Sequence, residues 1–139
     1  MFKLNNKKFL ITGASGGIGR AIVDIMHNAG ATLCVSGTKQ EALDRIVKEY
    51  KKDIYILPCN LSNTEEVNQL VDKSNSLMNG FDGLICNAGV TQDSLIIKMT
   101  DDAWEKVIGI NLTSTFQLNR NACRVLLKNK FGRIINISS

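Results

Sequence analysis

A chain of 139 residues with 44% hydrophobic and 22% charged side chains has the composition of one globular domain, which excludes the disordered class. Its 17 basic and 13 acidic side chains leave a net charge of +4, an excess that suits solubility or a phosphate-bearing partner. No basic stripe is interleaved with aromatics and no finger or RNA-binding signature occurs, so nucleic acid is not an expected partner. Cys34, Cys59, Cys86 and Cys123 share no C-x-x-C spacing, and the single His27 completes no metal site. Reduced thiols, with no signal peptide and no membrane-length apolar run, point to a soluble cytoplasmic protein.

Strand-like runs alternate with helical periodicity along the whole chain. Lys8–Thr12 reads as a strand. A glycine-rich stretch follows, and then Ile18, Ala21, Ile22, Ile25, Met26 and Ala29 mark the apolar face of a helix that Asn28 and Gly30 stop. Ala31–Ser36 is a second strand, and Gln40 to Tyr50 a polar helix. Asp53–Cys59 is a third strand, ended by Pro58, which cannot donate to a ladder. Asn63 or Thr64 caps the next helix, with Val67, Leu70, Val71 and Leu77 on its buried face. Asp82–Cys86 is a fourth strand. A long helix runs from about Asp101 to Leu118 or beyond, and a further helical segment leads to Lys130. Arg133–Ile137 is a fifth strand. Its apolar edge has no gatekeeper, so the sheet is expected to continue past this point.

Strands separated by helices imply right-handed βαβ units, and apolar rather than alternating strands imply helices on both faces. The expected fold class is α/β, a doubly wound parallel sheet of Rossmann type, truncated after the fifth strand. Between the first strand and first helix lies Thr12-Gly13-Ala14-Ser15-Gly16-Gly17-Ile18-Gly19. Glycines here permit positive φ and close backbone approach, and the helix start offers free amides to a pyrophosphate. The spacing is T-G-x-x-x-G-x-G, not G-x-G-x-x-G.

That octapeptide resembles the fingerprint of the short-chain dehydrogenases/reductases. Three other stretches match the family in order and spacing. Asn87-Ala88-Gly89 resembles its N-A-G motif, with Cys86 in place of the usual first Asn. Asn111, within Ile110-Asn111-Leu112-Thr113-Ser114, resembles its active-site asparagine, and Ser139, closing Gly132–Ser139, its catalytic serine. The resemblance covers the whole chain, which then reads as residues 1–139 of one domain: its N-terminal nucleotide-binding part, without the later strands or substrate lid. It implies a nicotinamide nucleotide held by Gly13, Ser15, Gly16, Gly17, Ile18, Gly19, Thr38, Asn60, Leu61, Asn87, Ala88 and Gly89. Asn60 and Leu61 stand where the family usually has an Asp. Residues alone leave alternatives open: Asn111 as a helix cap or kink, Asn87 and Gly89 as a simple turn, Thr38 and Lys39 as a polar loop.

The second strand ends Ser36-Gly37-Thr38-Lys39, with no acid before Glu41 to bond a ribose 2′-OH. Hydroxyls and a lysine accept a phosphate, which favours NADP(H) over NAD(H). In the family, Ser139 would hold the carbonyl oxygen and Asn111 would position a water that refills the proton. The family's Tyr-x-x-x-Lys has no counterpart, because Tyr50 and Tyr55 are followed four residues on by Ile54 and Cys59. The chain alone is therefore expected to be inactive.

Finer similarity, carried by Gly13–Arg20, Cys59–Ser62, Asn87–Met99, Val107–Phe116 and Phe131–Ser139, is to the reductases of 3-oxoacyl groups on acyl carrier protein in fatty-acid biosynthesis. It implies that acidic carrier as partner, greeted by a basic patch at the active-site mouth for which Lys128, Lys130 and Arg133 are candidates. It also implies a homotetramer, in which part of the stripe Trp104, Val107, Ile108 and Phe116 meets another subunit. No membrane partner is expected. An acetoacetyl-CoA reductase and a non-catalytic nucleotide-binding chain are the rival readings.

Overall fold

Short apolar strands joined through helices can lie side by side only in parallel, since each helix carries the chain back to the starting edge. The computed structural model describes residues 2–138 and has that arrangement. Strands β1 (Lys8–Thr12), β2 (Thr32–Ser36), β3 (Ile54–Ile56), β4 (Gly83–Cys86) and β5 (Arg133–Asn136) form one sheet in the order β3-β2-β1-β4-β5. Every pairing is parallel, with Leu10 facing Cys34 on one side and Leu84 on the other. The helices are α1 (Gly17–Asn28), α2 (Gln40–Tyr50), α3 (Thr64–Met78), α4 (Asp101–Ile108) and α5 (Ser114–Asn129).

Side chains alternate across each strand, so one sheet supplies two cores. Leu10, Cys34, Leu84 and Cys86 join Val67, Leu70, Val71, Leu118 and Ala122 on the α3–α5 face. Phe9, Ile11, Leu33, Val35 and Ile85 join Val23, Leu43 and Ile46 on the α1–α2 face. Because every strand runs in the same direction, all four loops after β1–β4 leave the sheet at one rim.

Several expected details differ. The buried stripe of α1 is Gly19 and Val23, flanked by half-buried Ile22 and Met26, while Ile18, Ala21 and Ile25 are exposed. Close packing of Gly19 against the loop beneath it rotates the helix away from the face that bulky residues alone suggest. On α3, Asn63 is the cap, its side chain accepting from the amides of Glu65 and Glu66. Leu77 is exposed there, and Met78 with Ser74 completes the stripe of Val67, Leu70 and Val71. Strand β3 is only three residues long, because Asp53 takes a left-handed turn at φ 59° and pairing stops before Pro58. The chain from Asp101 to Asn129 is one helix interrupted by a wide π turn at Gly109–Thr113, and a 3-10 turn at Ile96–Lys98 was not anticipated. Trp104 and Phe116 are more than half exposed, so within this chain they do not pack as core. Strand β5 forms an edge, and its Ile135 is half exposed. No helix among the described residues is long and apolar enough to cross a membrane.

The last turn of α2 is laid on α1. The ring of Tyr50 lies 4.7 Å from that of His27, and the Tyr50 hydroxyl is buried without a hydrogen-bond partner. Tyr50→Phe removes that orphaned group and keeps the ring. We expect stability in urea to stay level or rise by about 1 kcal/mol. A loss of that size would mean the hydroxyl is bonded after all.

Candidate functional site

The loops after β1, β2, β3 and β4 converge on a cleft of about 420 Å³ at the C-terminal rim of the sheet. It opens where the strand order reverses, between β1 and β4, the position at which open parallel sheets receive ligands. Gly13, Ser15, Gly16, Gly17, Ile18 and Gly19 line it from the first loop. Thr38 lines it from the second, Asn60 and Leu61 from the third, and Asn87, Ala88 and Gly89 from the fourth. The fold thus brings together all twelve residues singled out for cofactor contact, from four separate stretches of sequence. Lys39 is exposed and does not line the cleft.

Thr12 is the residue that motif spacing underrated. Its side-chain oxygen is buried and accepts from the amides of Asn87 (3.1 Å) and Ala88 (3.2 Å). In return the Asn87 side-chain amide donates to the carbonyls of Thr12 (3.3 Å) and Gly13 (3.1 Å). These four bonds clamp the fourth loop onto the first and leave no width for a side chain between them. Gly13 sits at φ 63°, and a Cβ there would lie 2.7 Å from the Ala88 Cα. The signal lay in the Thr that opens the motif, a hydroxyl placed at the end of a buried strand.

The start of α1 leaves backbone amides without partners in the chain. Gly16 caps it without any side-chain hydrogen bond. Arg20 makes the first helical bond, to the Gly16 carbonyl, so the amides of Gly17, Ile18 and Gly19 are left for an external acceptor. A Cβ on Gly17 would meet nothing within 4 Å, and its φ is not left-handed. The chain itself therefore has no need of glycine there, whereas a ligand close to the backbone would have such a need. These features fit a dinucleotide pyrophosphate.

A second cavity of about 830 Å³ adjoins the first across Ile18 and Asn87–Val90 and reaches Asn111, Phe116, Arg120 and the end of β5. Asn111 stands in the π turn. Its side chain accepts from the Val90 amide and donates to the Val90 carbonyl, both at 2.8 Å. Asn111 is thus neither a helix cap nor a free side chain but a cross-link between helix and cleft wall. Ser139 lies outside the described residues. Tyr50 and Tyr55 line neither cavity.

Lys128, Lys130 and Arg133 lie at the other end of the sheet. Arg133 opens β5 beside Gly83, the first residue of β4, and Lys7 at the start of β1 stands 3.9 Å over the Phe131 ring. They do not flank the mouth of this chain's own cleft, because α5 carries the chain back to the strands' N-terminal rim before β5 begins.

Burial sets the chemistry of the cysteines. It pushes the thiols of Cys34 and Cys59 up from 9.0 to about 11, and that of Cys86 to about 12. Among the four, Cys123 alone is exposed. Near neutral pH, a disulfide reagent is expected to label Cys123 rapidly and the others only on unfolding. Below pH 9 these thiols are protonated in both the folded and the unfolded chain. As the pH rises from about 9 to 12 the unfolded chain ionises first, so the fold loses stability across that window. Rapid labelling of all four in the native protein would contradict both statements.

A family model described as short chain dehydrogenase matches residues 7–139. The 3-oxoacyl-[acyl-carrier-protein] reductase FabG of Rickettsia conorii is 46% identical over 139 residues, covering 100% of this chain and 56% of that protein. Nodulation protein G of Rhizobium sp. (strain N33) is 42% identical, with 100% and 57% covered. Among solved structures, a short-chain type dehydrogenase/reductase from Mycobacterium marinum superposes with a TM-score of 0.92 at 27% identity, covering 99% of this chain and 57% of that one. The chain spans a little over half the length of the relatives it matches.

Proposed function

The chain belongs to the short chain dehydrogenase family, and on that footing we propose that its protein reduces 3-oxoacyl groups on acyl carrier protein with NADPH. The observation that carries the nucleotide part is the cleft itself: four loops, a clamped glycine turn and an uncapped helix start at the strand-order reversal. When bound, the nucleotide supplies a hydride. The residues of this chain bind and orient. The amides at the start of α1 would take the pyrophosphate, Asn60 and Leu61 would border the base, and Thr38 would meet the ribose, where β2 runs into Ser36-Gly37-Thr38-Lys39 with no acid before Glu41. The Thr12–Asn87 clamp holds the cleft wall that would meet the nicotinamide end.

The substrate carbonyl is assigned to the second cavity, with Ser139 holding its oxygen and Asn111 positioning the water that restores the proton. The domain assignment follows: residues 1–139 form the nucleotide-binding part, and the Tyr-x-x-x-Lys general acid lies outside them. The substrate class rests on similarity to the reductase of Rickettsia conorii and on the five matching stretches. A tetramer in the cytoplasm completes the reading, in keeping with four unpaired cysteines.

The test is reduction of an acetoacetyl thioester by the protein isolated from its source, comparing carrier-bound with CoA-bound substrate and NADPH with NADH. A higher kcat/KM for the carrier-bound thioester with NADPH is expected. Preference for the CoA thioester would turn the reading to an acetoacetyl-CoA reductase. Nucleotide binding without turnover would turn it to a non-catalytic protein. The 139-residue chain by itself is expected to bind NADPH and show no turnover.

A further inference from the structure

We propose that Arg20 is a positioning residue for the nucleotide cradle, tethering the glycine-rich first turn of α1 to the last turn of α2. The inference rests on reading the cleft as a nucleotide site. That first turn is intrinsically loose. Gly16, Gly17 and Gly19 carry the weakest helix propensity short of proline, and the cap has no side-chain bond. Gly19 is braced from beneath by Gly13 and Asn87. Arg20 braces the turn from the outer side.

Its amide closes the first helical bond, to the Gly16 carbonyl at 2.8 Å. Its guanidinium pairs with Glu49 of α2, stands 3.7 Å from Asp24, and lies 5.0 Å from the centre of the Tyr50 ring. That ring also neighbours His27, whose Nε2 in turn meets the Lys52 carbonyl at 3.0 Å. Arg20, Asp24 and His27 are spaced i, i+4, i+7, so they form one stripe of α1 on which the end of α2 is seated. The Tyr50 hydroxyl has no partner; the seat is held by apolar packing of Tyr50 and Val47 against the α1–α2 core, and to it Arg20 adds its contact with the ring and its pair with Glu49. A cradle ordered in advance spares the ligand the cost of ordering it, and loosening the tether loses affinity without touching the reacting atoms.

The size of the effect is bounded by the contacts. The Arg20 side chain is 28% exposed and that of Glu49 61%, so the pair is weak by itself and the stacking adds a comparable amount. Together they correspond to a change of about threefold to tenfold in affinity. In the protein isolated from its source, Arg20→Met is expected to raise the Kd for NADPH by that factor. The kcat at saturating nucleotide should stay unchanged, and the amides of Gly17–Gly19 should exchange hydrogen faster in the absence of nucleotide. Arg20→Lys, which keeps the charge but loses the guanidinium contact with the Tyr50 ring, is expected to fall between the two.

Glu49→Gln separates tethering from direct charge attraction. Tethering makes this variant bind NADPH more weakly, and combining it with Arg20→Met adds little. A direct attraction between Arg20 and the phosphates makes Glu49→Gln bind more tightly, which would overturn the proposal. Arg20→Met with unchanged Kd, or with a lowered Tm and unchanged Kd, would overturn it equally. Failure of the unsubstituted protein to bind either NADPH or NADH would instead remove the nucleotide reading, and this inference with it.

Discussion

Replacing Gly19 by alanine is expected to abolish NADPH binding at concentrations that saturate the unsubstituted protein, and to lower stability by about 2 kcal/mol. A Cβ at this position would run into the Gly13 carbonyl oxygen, and would lie 2.8 Å from the Asn87 side-chain nitrogen and 2.9 Å from the Ala14 Cα. Two of these obstacles are backbone and the third is half of the clamp between the first and fourth loops. None can retreat without opening the cleft. Gly17→Ala is the control that separates packing from ligand contact. Its Cβ meets nothing in the protein, and alanine favours a helix over glycine by about 1 kcal/mol. That variant is expected to be at least as stable as the unsubstituted protein yet weaker for nucleotide. Urea unfolding and a fluorescence titration measure the two quantities separately. Full nucleotide affinity in Gly19→Ala would mean that α1 does not form the cradle. Full affinity in Gly17→Ala would mean that the ligand keeps clear of this turn.

The second large effect is expected at Asn111. Asn111→Ala removes both 2.8 Å bonds to Val90 and leaves the π turn without its tie to the cleft wall. Asn111 is exposed and Val90 half-buried, so water can replace much of the lost bonding and the stability cost stays near 1 kcal/mol. Turnover should suffer far more. If Asn111 orders the proton path, kcat falls by about 100-fold or more, while the KM for NADPH changes little, because Asn111 lines only the second cavity. Asn111→Asp retains the acceptor for the Val90 amide but has no donor for its carbonyl, and an intermediate kcat is expected. A proportional loss of stability and activity in Asn111→Ala would reduce Asn111 to a structural tie and leave the proton path to other residues.

Much of this was legible in the amino-acid order. Phe9, Leu10 and Ile11 read as a two-faced strand, and each side chain enters the core its position demands. The glycine octapeptide and Asn87–Gly89 marked themselves because few residue types tolerate such backbone approach. Other features were not legible, for reasons that follow from range. The buried face of α1 is not legible in the sequence because the smallest residue, Gly19, is the most closely packed, and a count of bulky side chains passes over it. The two hydrogen bonds of Asn111 to Val90 join residues 21 apart, and the sequence pattern, which marks Asn111 as an active-site asparagine or as a cap or kink, carries no sign of them.

The sequence by itself determined the parallel sheet, its two cores and the stretches that border the cleft, because hydrophobic period and glycine placement are local properties that fold the same way wherever they occur. Only the tertiary structure decided that Thr12 clamps the fourth loop, that Arg20 reaches α2, and that Lys128, Lys130 and Arg133 stand at the rim away from the cleft. Those facts depend on where separately folded elements meet. The meeting is set by the summed packing of the whole sheet rather than by any one segment.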